Sequence, residues 1–241
     1  MTPANPATGA LLLVPTTLGD APPEEALPLP ALMRLRSLRY IIAENPKTAR
    51  QFLKRAGMNT PIQDIRVERL DEHTPESGLP ALLAPILHGQ DGGLLSDAGC
   101  PVVADPGAPL IRLAHGAGIR VIPLVGPSSI VLGLMASGLG GQRFAFHGYL
   151  PVDEAPLIAR LRVLEKDAGR LDQTQVFIET PYRNDRMLAI MLRSLSETTR
   201  VCLACDLTLP TETVISRTVR EWRAAPTPPL KDRPCVFLLG L

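Results

Sequence analysis

The chain reads as an α/β protein of two α/β lobes, with a parallel-rich sheet in the N-terminal lobe and a mixed sheet in the C-terminal one. Three observations predict this. Short apolar runs alternate with stretches of helical spacing through most of the sequence, the pattern left by parallel strands joined by crossover helices. Residues 92–107, GGLLSDAGCPVVADPG, carry an apolar strand into a Ser-Asp-Ala-Gly-Cys-Pro turn, and the carboxyl end of a strand is where open α/β sheets bind ligands. The last third shows successive strand-like runs with no room for helices between them, so its sheet must include antiparallel pairs.

Taken in order, residues 11–15 read as a short apolar strand, 32–38 as a helix, 39–43 as a strand and 47–56 as a helix closed by Gly57. Residues 62–70 look irregular. An apolar helix follows at 79–87, then the strand at 93–95 and a second turn at Asp105, Pro106 and Gly107. Residues 109–117 form a helix stopped by Gly118, and 119–124 a strand, so the first lobe holds about five strands. The text then changes to GPSSIVLGLMASG, a small-residue helix that Ser128 or Ser129 can cap and Gly138 ends. Beyond it come a strand at 144–149, a helix at 155–166, a strand at 175–179, a helix at 185–195, and strands at 200–207, 213–222 and 235–239. The lobe boundary is expected near Leu124, giving domains 1–124 and 125–241.

Composition narrows the class. A chain of 241 residues, 45% hydrophobic and 20% charged, belongs among globular proteins and can bury one large or two modest cores. The net charge of +1 advertises no overall field for nucleic acid, although a local basic face would not show in that sum. No apolar run reaches the roughly 18 residues of a membrane span, no signal-peptide pattern opens the chain, and a cytoplasmic protein with no membrane association is expected. The first nine residues read as a loose tail. Four cysteines are too few and too scattered for a disulfide framework. Cys202 and Cys205 fall on one strand, where positions three apart face opposite ways, so core cysteines are expected and no metal site.

No G-x-G-x-x-G opens a helix after a strand, and no phosphate-binding G-x-x-x-x-G-K-[ST] occurs. VPTTLGD (residues 14–20) alone is a turn after a strand, and Asp97 alone reads equally as a turn-former. Their company changes that. VPTTLGD, SDAGCP and VGPSS each fall at the carboxyl end of an expected strand. With HGYLP (147–151), VFIETPYR (176–183), DLTLPTE (206–212) and the closing strand, these blocks resemble the tetrapyrrole methylase superfamily of S-adenosylmethionine-dependent methyltransferases. They are most similar to the branch that methylates the ribose 2′-hydroxyl of a cytidine in small-subunit ribosomal RNA. The resemblance runs from about Leu11 to Leu241, and residues 94–129 carry it most strongly.

The resemblance implies two lobes with S-adenosyl-L-methionine folded into the cleft between them, usually in a homodimer, and ribosomal RNA or the small ribosomal subunit as partner. It implies that Asp97, Ala98 and Gly99 approach the amino-acid and ribose portions of the cofactor, that Ser128 and Ser129 bond near its other end, and that Pro15 lines the cleft. Three blocks depart from the branch. Glu44-Asn45-Pro46-Lys47 stands where it carries Glu-Asp-Thr-Arg, Leu209 stands where it carries a lysine, and Lys231-Asp232-Arg233-Pro234 replaces its Lys-Gly-Glu. The cofactor side is thus kept while the acceptor side has changed.

A ribose hydroxyl is a poor nucleophile at neutral pH, so a group that orients it or takes its proton is sought. Glu44, His73, Glu179 and Lys47 each fall at or just beyond a strand end, and are the catalytic candidates beside their readings as structural carboxylates or solvated side chains. His88, His115 and His147 receive no role. Arg34, Arg36, Arg39, Lys47, Arg50, Lys54 and Arg55 concentrate basic charge between residues 34 and 55, which suits RNA but also a solvated helical surface. The alternatives are a methylase of a tetrapyrrole or other small molecule, which the low aromatic content of 4% disfavours for a large flat substrate, and a catalytically silent cofactor- or RNA-binding relative.

Overall fold

In the computed structural model, which describes residues 8–241, the side chains of the first strand alternate strictly between two cores. Most of the expected N-terminal tail lies outside the described residues. Strands β1 (Ala10–Val14), β2 (Tyr40–Ala43), β3 (Arg66–Arg69), β4 (Gly92–Leu95) and β5 (Arg120–Pro123) form an all-parallel sheet in the order β3-β2-β4-β1-β5. Helices α1 (Pro23–Ala26), α2 (Leu29–Arg36), α3 (Pro46–Ala56), α4 (Leu79–Leu87) and α5 (Ala108–Gly116) connect the strands. Leu12, Val14, Ile41 and Leu95 bury against Leu32 and Leu35 of α2 and Phe52 and Leu53 of α3. Leu11, Ile42 and Leu94 bury on the opposite face against Leu83 and Ile86 of α4 and Leu110 and Ala114 of α5. Both faces being covered, the strands read as continuous apolar runs.

Glycines in β4 set how closely the helices approach. A Cβ on Gly92 would stand 2.9 Å from Ile86, and one on Gly93 would stand 2.8 Å from Leu38. The Tyr40 hydroxyl donates to Leu82 O at 2.8 Å and ties β2 to α4; burial pushes its pKa up to about 12. Residues 62–70, expected to be irregular, hold a single helical turn (Ile62–Asp64) and then the edge strand β3. Three of its four residues are charged, which hides the apolar alternation that marks a strand.

The chain divides after Ser128, a little beyond the boundary expected at Leu124. Residues 125–128 stay with the first unit because they pack there: a Cβ on Gly126 would lie 2.3 Å from Pro15 and 2.8 Å from Leu27, and Pro127 O accepts the Cys100 thiol at 3.4 Å.

The second unit, Ser129–Leu241, carries β6 (Phe144–Tyr149), β7 (Thr174–Ile178), β8 (Arg200–Cys205), β9 (Thr213–Thr218) and β10 (Cys235–Gly240) in the order β6-β7-β10-β8-β9. Only β6 and β7 pair in parallel; the rest is antiparallel, as the crowded final strands required. Helices α7 (Glu154–Leu171), α8 (Asn184–Ser194) and α9 (Val219–Arg223) cover one face around Phe177, Leu203, Phe237 and Trp222. Helix α6 (Ser129–Ala136) lies on the other, where Gly133 brings it within van der Waals contact of Ala204 and Val236.

Two expectations are corrected here. The run at 213–222 is a strand only to Thr218, where a reciprocal bond pair between Thr218 and Glu221 caps α9 and turns Trp222 inward to donate to Val201 O at 2.9 Å. The cysteines are not all free core residues. Cys205 and Cys235 are directly opposite on β8 and β10 and form a disulfide, while Cys100 and Cys202 remain free. Asp206 N bonding Pro234 O marks the cysteines as a non-hydrogen-bonded cross-strand pair, the closer of the two antiparallel pair types, and long-range register brings together residues that sequence spacing keeps apart. Among the described residues, no helix is long and apolar enough to cross a membrane.

Candidate ligand site at the strand ends of the first unit

Helices α2 and α3 cover one face of the parallel sheet and α4 and α5 the other, so the chain leaves β1 and β4 toward opposite faces. Adjacent parallel strands whose loops part in this way open a crevice beyond their carboxyl ends. The loops that flank it are Pro15–Thr16–Thr17 after β1 and Ser96–Asp97–Ala98–Gly99 after β4.

These loops are fixed to one another by backbone. Thr16 N donates to Gly99 O at 2.9 Å, the buried Thr16 hydroxyl donates to Ser96 O at 3.3 Å, and the Ser96 hydroxyl donates to Gly99 O at 3.3 Å. Gly99 turns through a left-handed conformation, φ +73, where a side chain would be strained and would press on Leu18 at 3.1 Å. Val102 and Ala104 also hold positive φ, 74 and 69, and such strain persists where the surroundings over-determine the loop. With Gly126 seated on Pro15, three strand-end loops, those after β1, β4 and β5, are locked together within this unit.

Asp97 and Ala98 are exposed on this frame, Gly99 and Pro15 are buried in it, and Ser128 is half-buried at its edge. Ser129 is the first residue of α6 in the second unit. Glu44 follows β2 directly and is half-buried; burial first, then the carboxylates of Asp105 and Asp97, pushes its pKa above the ordinary carboxylate value. Partial desolvation raises Asp97, although its side chain is open to solvent, and burial raises Asp105, with a hydrogen bond from Ser96 opposing the shift there. Thr16 and Asp105 were not among the expected site residues. Thr16 is signalled only as part of a Pro-Thr-Thr turn and Asp105 only as a turn-former, and neither pairing is visible before the strands align.

The other candidates lie on other loops and elements. His73 sits in the loop after β3 with its side chain 80% exposed, beside Glu72 at 3.6 Å. Lys47 is exposed on the first turn of α3, whose N-terminus is capped by Asn45. Glu179, just after β7 in the second unit, is buried, and one of its oxygens accepts Thr180 N at 2.7 Å, the Thr180 hydroxyl at 3.2 Å and Arg183 at 2.6 Å. It holds the turn into α8.

An open cleft of about 640 Å³ lies along the first unit between the loops Thr16–Asp20 and Ser96–Ala98 and the flank of α3 that carries Thr48, Gln51, Phe52, Lys54 and Arg55. Among the described residues, no group of three or more His, Cys, Asp or Glu side chains could hold a metal ion.

A parallel sheet followed by a mixed sheet is the fold of two solved methyltransferases, the methyltransferase CobJ (TM-score 0.64, 19% identity, 97% of this chain and 94% of that one) and uroporphyrin-III-C-methyltransferase from Thermus thermophilus (TM-score 0.55, 21% identity, 96% and 92%). No family model matches the chain. Curated sequences do. Ribosomal RNA small subunit methyltransferase I of Mesorhizobium japonicum is 34% identical over 230 residues, covering 94% of this chain and 74% of the relative. The protein of the same name from Escherichia coli O157:H7 is 33% identical over 218 residues, 90% and 72%. The protein is therefore a methyltransferase, and it belongs to the family of ribosomal RNA small subunit methyltransferase I.

Proposed function

We propose that this chain transfers a methyl group from S-adenosyl-L-methionine to a ribose 2′-hydroxyl of small-subunit ribosomal RNA. The observation that carries the reading is the locked set of strand-end loops, in which Thr16 binds Gly99 and Gly126 lies against Pro15, at the crevice where an open parallel sheet takes its ligand. The residues fit the cofactor. Gly99 and Gly126 give the close backbone approach that a side chain would fill, and the exposed Asp97 offers a carboxylate to the hydroxyls and ammonium of a cationic ligand. Pro15, Asp97, Ala98, Gly99 and Ser128 would hold it on the first unit.

When bound, S-adenosyl-L-methionine supplies an activated methyl group on a sulfonium, so the protein's task is alignment and management of one proton. Positioning alone can lower such a barrier by several kcal/mol. Glu44 is the stronger base candidate, because its raised pKa makes it a better proton acceptor than an ordinary carboxylate, while Glu179 is held by Thr180 and paired with Arg183. His73 and Lys47, being exposed, suit contact with the acceptor. A cytoplasmic homodimer acting on the small subunit is the assembly the sequence resemblance supports.

Calorimetry with S-adenosylhomocysteine should show a single site, and Asp97→Ala should weaken it about tenfold, the loss of one charge-assisted bond. Labelled methyl donor offered to unmodified small subunits, naked RNA and a small-molecule extract should mark RNA. Label in the extract alone would assign the chain to small-molecule methylation, and binding without label anywhere would make it a silent relative.

A further inference from the structure

Helix α3 has one buried and one charged side. Ala49, Phe52, Leu53 and Ala56 are buried against the sheet, while Lys47, Arg50, Gln51 and Lys54 are exposed. With 100° per residue, these four exposed positions fall within one narrow stripe opposite the buried residues. Other cations nearby are already used: Arg36 pairs with Glu24 at 2.6 Å and Arg55 with Asp20 at 3.2 Å. Lys47, Arg50 and Lys54 make no ion pair with a carboxylate among the described residues. The stripe spans about 10 Å of helix. Its edge, Gln51 and Lys54, lines the open cleft whose far wall carries Thr16, Ser96 and Asp97.

The charges on the two walls differ in sign. Lys54 is on the α3 wall and Asp97 on the far wall, where its charge already raises the pKa of Glu44 and Asp105, so a phosphate brought there would meet repulsion. Charge therefore favours a phosphate on the α3 side and an uncharged ribose on the side of Asp97.

We propose that the Lys47–Arg50–Lys54 stripe of α3 is the seat for the sugar-phosphate backbone of a single-stranded RNA segment, laid along the cleft so that its ribose faces Glu44 and Asp97. This rests on the reading of the chain as an RNA methyltransferase. The stripe gives a positively charged track without base-reading side chains apart from Gln51, so it positions the strand and leaves sequence choice to other contacts.

The test compares two sets of three charge removals. K47A/R50A/K54A strips α3; R162A/K166A/R170A strips the outer side of α7, where Arg162 and Lys166 are exposed and Arg170 pairs with Asp167. Binding of naked small-subunit RNA is measured across a salt series, with S-adenosylhomocysteine calorimetry as the fold and cofactor check. The α3 variant should bind RNA at least about tenfold more weakly, and its salt slope should fall by about 2, since each lost contact to a single strand removes about 0.7. The α7 variant should keep both, cofactor affinity should be unchanged in each, and K47R/R50K/K54R should restore RNA binding. Equal losses in both variants, or an unchanged slope in the α3 variant, would overturn the assignment. Loss of methylation on whole subunits with naked-RNA binding intact would reassign the stripe to a ribosomal protein. If the wild type itself neither binds nor methylates RNA, the RNA reading fails and the stripe's role with it.

Discussion

The two sheets of this protein solve the same problem, holding a loop in a fixed shape at the end of a strand, by different means. In the parallel sheet the loops after β1, β4 and β5 are locked by backbone and close contact: Thr16 to Gly99, Ser96 to Gly99, Gly126 onto Pro15. In the mixed sheet the loop after β8 is held by side chains and a covalent bond. Asp206 takes Arg233 at 2.7 Å, Arg233 also donates to Thr211 O and Thr213, and Cys205 is bridged to Cys235 one residue earlier. Both loops contain β-branched residues at positive φ, Val102 (74) in the first and Thr208 (72) in the second. Strain is tolerated in both, but the exposed Glu212 of the second loop is engaged by Thr208 N, whereas the exposed Asp97 of the first takes no part in the contacts that lock its loop.

The contrast can be broken at its strongest point in the second unit. Trp222→Ala should destabilise by about 3 to 5 kcal/mol, because it empties a fully buried site and removes the indole bond to Val201 O. Denaturant unfolding followed with and without S-adenosylhomocysteine measures this. Gly126→Ala should cost less stability, about 1 to 3 kcal/mol, yet it should weaken cofactor binding, because the new methyl must displace Pro15, a ring with little freedom to move. Calorimetry distinguishes a local loop shift from global loss of fold.

The smallest effect concerns the carboxylates. Glu44, Asp97 and Asp105 have folded-state pKa values above their ordinary values, so the native state binds more protons than the unfolded chain between the ordinary and the raised values. Their contribution to stability is therefore greatest at low pH and falls as pH rises through that window. Asp105→Asn should relieve it, raising the melting midpoint at pH 7 and leaving it unchanged at pH 3. A gain of equal size at both pH values would show that the charge is not responsible.

Much of this was legible from residue order. The helix at 79–87 and the strand at 144–149 appear with the expected bounds, because strong periodicity and flanking turn residues agree. The edge strand β3 was hidden by its charges, and α9 by its length of five residues within an otherwise β-rich run. The turns that hold Pro15, Asp97 and Gly99 were readable from residue order, whereas the bond of Thr16 to Ser96 O and the effect of Asp105 on Glu44 depend on residues distant in sequence.

By itself the sequence determined the alternating architecture and the antiparallel character of the last strands, since both rest on local periodicity and turn chemistry, and its motif blocks carried the resemblance to the methyltransferase family. Tertiary structure decided which loops meet. The order β3-β2-β4-β1-β5 brings the ends of β1 and β4 together across 80 residues of chain between Thr16 and Ser96. Register decided the Cys205–Cys235 bridge. Packing decided which cations of α3 stay unpaired once Arg36 and Arg55 have found their carboxylates. Those outcomes depend on contacts between residues far apart in the chain, which no local pattern encodes.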